Sequence, residues 1–473
     1  MSEDSEAAVG VQQKMRYMFT TTEQRSAGID RSFGVMQEQL FKHAGLPQEV
    51  LTLRTPVGIP SQDTVVCFGR VMCEAAEGKI NKTSVLLEGG RLEGGQRVKL
   101  VLNELAAYAL FPGQFVVVEG INSSGGRMVV QKLCEGVPRP LKLSPRGALT
   151  QWHHGTQPGS QDGSPVKIMV GSGPFCCSDN LDYEPLRDLL HQAAKLDPVD
   201  VLVLTGPFID AAHPQVSKGA VEMTTEDGEK ETIDLATLFY FKVSGIIEAF
   251  YEEQPDCPLQ IVLVPSLGDA HHDLVYPQPP LGDRIPGGVQ SPFYPDEKLF
   301  RLDIPFTTGS AAEKRVHLVG NPSMITINEM VIGITSTDVL MHLSKEEIAQ
   351  RPVASNRLER LVDHMLMQQS FYPLFPGSGN DAPPLDMRFN DKWRMPVSPD
   401  VLIVPSRLAT FGRRLHNGTL AINPGQLAKG SSGGTYARMT VHPIPADQLE
   451  KVAIEKALPH QVAERTSLQI RRI

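Results

Sequence analysis

Two runs, Val201-Leu202-Val203-Leu204 and Ile261-Val262-Leu263-Val264, are apolar at every position. A strand with one wet face alternates apolar and polar residues, so these runs predict strands buried on both faces. A covered α/β sheet supplies that environment. The neighbouring chain has helices to do the covering. A helix from about Asp182, with Pro185 in its first turn, repeats Leu186, Leu189, Leu190 and Ala193 at i, i+3, i+4 and i+7, which marks one face as core. A second amphipathic helix spans residues 234–253. The segments "VKIMVG", "RVHLVG", "MVIGITST", "DVLIVPS", "GTLAINPG" and "TYARMTVH" read as further strands. A helix with a Ser344-x-x-Glu347 capping box and another over 355–369 lie among them.

Ahead of this region the texture differs. Residues 1–58 are polar and read as a tail or docking segment with one helix-capable piece, "GVMQEQLFKHAG", ending on Gly45 and Pro47. Residues 59–136 hold five short apolar runs separated by Gly, Asn and Ser, the last two forming a hairpin with Asn122 to Gly126 as its turn. A short piece, "NELAAYALF", reads as helical before the fourth strand. This pattern predicts a small barrel of the oligonucleotide/oligosaccharide-binding (OB) type. Residues 137–164, rich in Pro, Gly, Ser and Gln, read as a linker, and 165–473 as the α/β domain.

The formal net charge of −9 argues against a chain that grips nucleic acid by bulk electrostatics and favours a protein partner. Cys67, Cys73, Cys134, Cys176, Cys177 and Cys257 form neither Cys-x-x-Cys nor Cys/His pairs at zinc spacing, and read as reduced thiols of a cytosolic or nuclear protein. No apolar run approaches a membrane span, and "MSEDSEAAVG" lacks the hydrophobic stretch of a signal peptide. The sequons at Asn81, Asn122 and Asn417 then have no route to glycosylation.

In α/β sheets ligands bind beyond the carboxyl ends of the strands. Here those ends read "GSGPF", "TGPFIDAAH", "VPSLGDAHHD" and "VPSRLATFG". The third packs Asp269, His271, His272 and Asp273 together, the ingredients of a di-metal hydrolase such as a phosphodiesterase or 3′→5′ exonuclease. The others offer a metal almost nothing. The plainer reading is that Asp210 and Asp269 accept backbone N–H bonds in turns, while His271 and His272 pack in a loop stiffened by Pro277, Pro279 and Pro280. Two further motifs fail on context. Gly171-x-Gly173-x-x-Cys176 lacks the third glycine of a dinucleotide loop and the acid that should end the next strand. Gly430-x-Ser432-x-Gly434 matches a nucleophile elbow but precedes a strand, not a helix, so Ser432 reads as a turn residue.

The segments "TGPFIDAAHPQV", "VPSLGDAHHDLVYPQPP", "GITSTDVLMHL", "QQSFYPLFP", "PDVLIVPSRLATF" and "INPGQLAKGSSGGTYARM" together closely resemble the accessory B-subunit family of eukaryotic DNA polymerases over residues 60–445. "GPFID", "HHDLVYPQPP" and "KGSSGGTYAR" favour its alpha branch over the delta or epsilon equivalents. The resemblance implies an α/β plus β architecture: an OB-fold barrel followed by an inactive calcineurin-like phosphoesterase α/β sandwich. It also aligns the metal motifs of active phosphoesterases with this chain. D-x-H falls on the turn at Ser172, G-D-x-x-D on Gly206 to Asp210, G-N-H-D on Ser266 to Asp269, and G-H-x-H on Pro405 to Leu408. Two cations held about 3.5–4 Å apart need a bridging carboxylate and several anionic or imidazole ligands. Pro207 cannot bridge, Gly268 and Leu408 have no side chain to coordinate, and Arg407 adds positive charge. Ser172, Pro207, Asp210, Leu267, Gly268, Asp269, Ser406 and Leu408 are therefore expected to form a degenerate former metal site, with no catalytic residue, metal or cofactor.

The resemblance further implies a non-catalytic, nuclear accessory subunit of a polymerase alpha–primase complex. Its expected partners are the zinc-bearing C-terminal domain of the catalytic subunit and the primase subunits, with DNA met mainly indirectly and no membrane. The barrel agrees, because its few aromatics, Phe68, Tyr108, Phe111 and Phe115, are poor material for a base-stacking platform and read as core. Members of the family usually carry a small helical N-terminal domain and a phosphorylatable linker ahead of the barrel, where this chain has residues 1–58.

Overall fold

The computed structural model describes residues 19–43, 47, 49, 52–75, 79–156, 160–224, 230–282, 302, 304–308, 311–352, 354, 356–379 and 381–473. Two compact units divide them. One holds Lys142–Asp338 with Pro399–Ile473, and the other joins Val339–Ser398 to the described residues up to Leu141. This departs from the single α/β stretch 165–473 expected from sequence, because residues 339–398 belong with the barrel.

The barrel unit opens with α1, Thr22–His43. It begins well before the helical piece read from sequence, since Thr21 and Gln24 cap it reciprocally: Gln24 N–H donates to Thr21 Oγ1 and Thr21 N–H to Gln24 Oε1, each at 3.2 Å. Gly45, the expected stop, lies outside the described residues. Strands β1 (Ser61–Cys73), β2 (Val85–Glu88), β3 (Arg97–Val101), β5 (Phe115–Asn122) and β6 (Arg127–Cys134) close a barrel in the order β1-β2-β3-β6-β5. Only β3 and β6 run parallel, and β5–β6 is the expected hairpin. The expected helix over 103–111 is absent. Tyr108–Leu110 forms β4 instead, paired with Ile348–Gln350, and its three residues are buried. Cross-strand burial here outweighs the helix propensity of Ala and Leu.

The barrel aromatics are covered from within the unit. Phe33 of α1 meets Phe68 edge-on at 4.9 Å and Phe115 at 5.5 Å, while Phe68 and Phe115 stack at 5.7 Å. Met36 and Leu40 extend this cluster. Residues 339–398 are fixed to the barrel by two adjacent glutamines. Gln368 returns both hydrogen bonds of Phe115, accepting from its N–H at 2.7 Å and donating to its carbonyl at 2.9 Å. Gln369 accepts from Arg139 Nε at 2.8 Å and donates to the Val137 carbonyl at 3.0 Å. The capping box expected at Ser344 does not form. Ser344 lies inside helix Val339–Glu346, and Glu347 beyond it pairs with Arg360 (2.6 Å) and His364 (2.9 Å). Asn356 caps the next helix, Arg357–Met367, by accepting from Leu358 and Glu359 N–H.

The other unit is a two-sheet α/β sandwich. Strands β7 (Val166–Ser172), β8 (Val201–Thr205), β9 (Gln260–Val264), β10 (Val316–Leu318), β11 (Ser323–Ile327), β12 (Met330–Ile334), β13 (Val401–Ile403), β14 (Phe411–Arg414), β15 (Leu420–Asn423), β16 (Thr435–Val441) and β17 (Thr466–Arg472) build it. One sheet has the order β10-β9-β8-β7-β16-β17, the other β11-β12-β13-β15-β14. Its central strands β7, β8 and β9 are dry on both sides past Lys167 and Gln260, as the runs of apolar residues require, whereas the edge strand β17 leaves Ser467 and Gln469 exposed. Ile168, Val170, Val201, Val203, Val262 and Val264 face the second sheet, whereas Met169, Leu202, Leu204, Ile261 and Leu263 face the helices. Helix α2, Glu184–His191, presents Leu186, Leu189 and Leu190 there, with Ala193 following, as expected. The second helical stretch, Leu235–Glu253, carries a π turn at Tyr240–Ser244.

From Lys142 onward the expected linker is part of this unit. Leu143–Pro145 pairs with Ala457–Pro459, and Arg146–His154 is helical. His153 Nδ1 accepts from Ile444 N–H at 3.1 Å, which leaves the proton on Nε2, 2.9 Å from Glu329 Oε1. Pro145 thus ends a short paired strand and Gly147 lies in the helix that follows it.

Two outcomes test this packing. Phe33→Ala should cost about 3–5 kcal/mol in urea unfolding of the barrel unit, since both ring contacts vanish and a cavity replaces them; a loss within experimental error would refute the cover. Burial pushes the Glu347 carboxyl up, but His364 and Arg360 outweigh it and hold it at about 2, down from 4.5. Its stabilisation is therefore full above about pH 4.5 and lost as pH falls through about 2. Glu347→Gln should flatten that acid limb and cost about 3–5 kcal/mol at neutral pH.

Candidate metal centre at the strand ends

The carboxyl ends of β7, β8 and β9 meet side by side. Gly173 N–H donates to the Thr205 carbonyl at 2.8 Å, and Gly206 N–H to the Val264 carbonyl at 2.8 Å. Each strand turns away through a glycine that is closely approached. A Cβ on Gly173 would run into the Pro207 carbonyl, and one on Gly206 into Asp269 Oδ2. Pro207 is therefore wedged at the centre, its Cβ 3.3 Å from where a side chain on Gly268 would begin.

Asp269 is buried at this junction and spent on the backbone. Oδ1 accepts from Phe208 N–H at 2.5 Å and Ile209 N–H at 3.1 Å, and Oδ2 from Ser266 N–H at 2.7 Å. Three of its roughly four acceptor positions are thereby taken. Asp210 and Asp269 also pair through their backbones as an antiparallel bridge. Asp210 Oδ1 accepts from Ala212 N–H at 3.0 Å, an ordinary turn contact. Ser172 ends β7 and is buried, its carbonyl accepting from Leu427 N–H at 2.7 Å. Leu267 and Gly268 form the turn after β9, where Gly268 N–H donates to Ser266 Oγ at 3.2 Å.

Ser406 and Leu408 lie at the end of β13 beside a residue the sequence reading passes over, Asp338. Ser406 Oγ donates to Asp338 Oδ1 at 2.5 Å, Arg407 N–H to Oδ2 at 3.0 Å, and Leu408 N–H to Ser406 Oγ at 3.1 Å. Two asparagines do similar work. Asn423 Oδ1 accepts from Ser406 and Gly425 N–H, and Asn321 Oδ1 from Thr335 Oγ1 and Ser336 N–H. Each precedes a proline at a strand end, the available sequence signal for such turn chemistry.

The imidazoles behave as packing groups. His271 stacks on Phe239 with ring centroids 4.5 Å apart, and His272 Nε2 donates to the Pro279 carbonyl at 2.8 Å. Gln278 Nε2 donates to the Ser266 and Asp273 carbonyls, both at 3.0 Å, closing the loop on itself. Among the described residues no three His, Cys, Asp or Glu side chains are grouped to hold a metal ion. Ser432 sits in the exposed turn between Ala428–Lys429 and Ser432–Gly433, its Oγ donating to the Lys429 carbonyl at 3.1 Å.

A five-stranded closed barrel joined to a two-sheet α/β sandwich, with proline and backbone-bound aspartate where the sandwich strands end, defines a two-unit protein of the OB-barrel class. The comparisons make this specific. A model of the DNA polymerase alpha/epsilon B-subunit family matches residues 168–413, and one of the OB domain of the DNA polymerase alpha B-subunit matches 29–136. The DNA polymerase alpha B-subunit of Mus musculus is 35% identical over 388 residues, covering 81% of this chain and 56% of the mouse protein. The Schizosaccharomyces pombe protein of that name is 32% identical over 418 residues, 87% of this chain and 65% of its own. The Saccharomyces cerevisiae one is 28% identical over 420, 81% and 54% respectively. The chain belongs to the DNA polymerase alpha/epsilon B-subunit family, and it spans between about half and two thirds of the length of these relatives.

The Asp269 geometry has a measurable consequence. Burial pushes its carboxyl up from 3.8 to about 7, against the three N–H donors and with a further rise from Asp210. The native state then holds a proton that the unfolded chain releases, so this stabilisation is full below about pH 4 and lost as pH rises through about 7. Asp269→Asn should flatten stability over that window and, by leaving one buried N–H unanswered, cost about 1–3 kcal/mol in urea. Asp210→Asn should cost under about 1 kcal/mol. Equal costs, or a thermal midpoint raised by manganese and lowered by Asp210→Asn, would instead indicate a metal centre.

Proposed function

We propose that this chain is the non-catalytic accessory subunit of a DNA polymerase alpha–primase complex. The observation that carries the reading is the order of the two matches: an alpha-specific OB-domain model over 29–136 ahead of the alpha/epsilon B-subunit model over 168–413 on one chain. The role follows as a scaffold. It would bind the zinc-bearing C-terminal domain of the catalytic subunit, act beside the primase subunits when primers are started in the nucleus, and meet DNA mainly through those partners. An acidic surface that does not compete for template suits that work.

The α/β sandwich is read as a calcineurin-like phosphoesterase domain whose site has decayed at Ser172, Pro207, Asp210, Leu267, Gly268, Asp269, Ser406 and Leu408. What supports this is the use each position has acquired. Pro207 fills the junction where a bridging carboxylate would stand, Asp269 is bound to three backbone N–H groups, and Ser406 is tied to Asp338. Among the described residues no helix is long and apolar enough to cross a membrane.

Co-expression with the C-terminal domain of a polymerase alpha catalytic subunit should yield a complex that survives size-exclusion chromatography. A manganese-supplemented nuclease assay on the purified chain should show no activity above background. Failure to form the complex would remove the scaffold reading; activity abolished by His271→Ala would replace it with an exonuclease.

A further inference from the structure

The barrel unit contains a cavity of about 50 Å³ whose lining includes Met36, Arg70, Phe115, Phe375, Trp393 and Arg394. At roughly 10–15 Å³ per water-sized probe, it has room for a group of about three or four heavy atoms. Two of its neutral polar side chains are already engaged, Gln368 with Phe115 and Asn390 with the Gly28 carbonyl at 2.6 Å. The two arginines are not fully engaged. Arg70, 8% exposed, gives Nη2 to Glu88 at 2.6 Å and lies 4.2 Å over the Phe375 ring, but its buried Nε reaches no acceptor. Arg394 is further from balance, since its buried Nη2 also has no acceptor among the described residues.

The charges explain the difference. Glu88 answers Arg70 and the exposed Arg97. Nothing comparable among the described residues answers Arg394: burial first, then Arg139, hold its pKa down at about 10, and Asp391 offsets this only in part. Arg394 is half-buried, and the cavity opens to solvent with Met36, Phe115, Phe375 and Trp393 among its lining; a half-buried guanidinium with an idle donor beside such a cavity is a site that can take an anion. We propose that this cavity is a carboxylate pocket that receives a glutamate or aspartate side chain from an acidic segment of a partner protein. One surplus positive charge matches a monoanion, the planar fork of Arg394 matches a carboxylate, and the apolar walls match a methylene stem. A phosphate dianion would bring a second charge that no uncompensated cation here meets, since Arg70 is already paired with Glu88. The inference stands on the barrel unit alone and does not depend on the replication role.

The test uses the full chain and its thermal midpoint with four probes: N-acetylglutamate amide, N-acetylglutamine amide, acetate and inorganic phosphate. The glutamate probe should raise the midpoint by about 2–4 °C at some tenfold its dissociation constant. The glutamine probe and phosphate should leave it unchanged, and acetate, which lacks most of the stem, should act more weakly than the glutamate probe. Arg394→Met should abolish the response while keeping or raising the midpoint of the free protein, because it discards an uncompensated cation. Arg394→Lys, which keeps the charge without the fork, should weaken the response. Several results would overturn the proposal: no response to the glutamate probe, an equal response to glutamine, one that persists in Arg394→Met, or a lower midpoint for that variant, which would make Arg394 structural. Acetate acting as well as the glutamate probe would point to a free small acid, and phosphate acting more strongly to a phosphate site; either would also refute it.

Discussion

Much in the sandwich unit follows from three central strands, β7, β8 and β9, that have no wet side. With valines of β7, β8 and β9 packed on the second sheet and leucines packed under helices, Lys167 beside the start of β7 is the one polar side chain between strand start and strand end. The backbone groups released where these strands stop still need partners, and water is scarce there. Asp269, Asp338, Asn321 and Asn423 supply the acceptors, each serving at least two donors, which for Asp269 and Asn423 come from two separate segments. Acidic and amide residues at strand ends are thus accounted for by the sheet's own hydrogen bonding before any ligand is invoked.

That account explains how much was legible. Strands dry on both faces were readable because composition alone distinguishes "VLVL" from an alternating strand. The α2 face, the hairpin at Asn122 and the turn at Ser432 were readable because each depends on neighbours within a few residues. The misses are nonlocal. Nothing near Tyr108 announces that Ile348–Gln350 will pair with it, and nothing near Glu347 announces Arg360 and His364. The length of α1 is a different case, for its Thr21-x-x-Gln24 box was in plain view and was simply outweighed by the polar texture around it. At the strand ends, Asp269 and Asp210 were placed in turns correctly, whereas Asp338 sits inside "GITSTDVL" with no signal of the Ser406 contact.

The barrel unit depends on side chains that imitate backbone. Gln368 answers the N–H and C=O of Phe115 as a neighbouring strand would, and Gln369 does so in part for Val137. Such amide-to-backbone pairs fix a segment at a set depth without requiring a continuous sheet. They also explain why "QQSFYPLFP" is so distinctive a stretch: its glutamines and aromatics are all committed, with Phe371, Tyr372 and Leu374 buried behind them.

The chain passes between its two units after Leu141, after Asp338 and after Ser398. For a protein made from one end, this sets a schedule. The barrel strands leave the ribosome early, yet Gln368 and Gln369 reach Phe115 and Val137 only some 230 to 250 residues later. The first strand of the sandwich waits still longer, because β16 pairs with it and β17 closes the sheet at Thr466–Arg472. Neither unit is complete before its late segment has been made, Val339–Ser398 for the barrel unit and Pro399–Ile473 for the sandwich, so the usual order in which an N-terminal domain finishes folding first does not apply. During translation the β7 edge that β16 later pairs with and the barrel groups that Gln368 and Gln369 later answer stand open together, which makes the nascent chain, more than the finished fold, the stage at which a chaperone or an early-binding partner has most to protect.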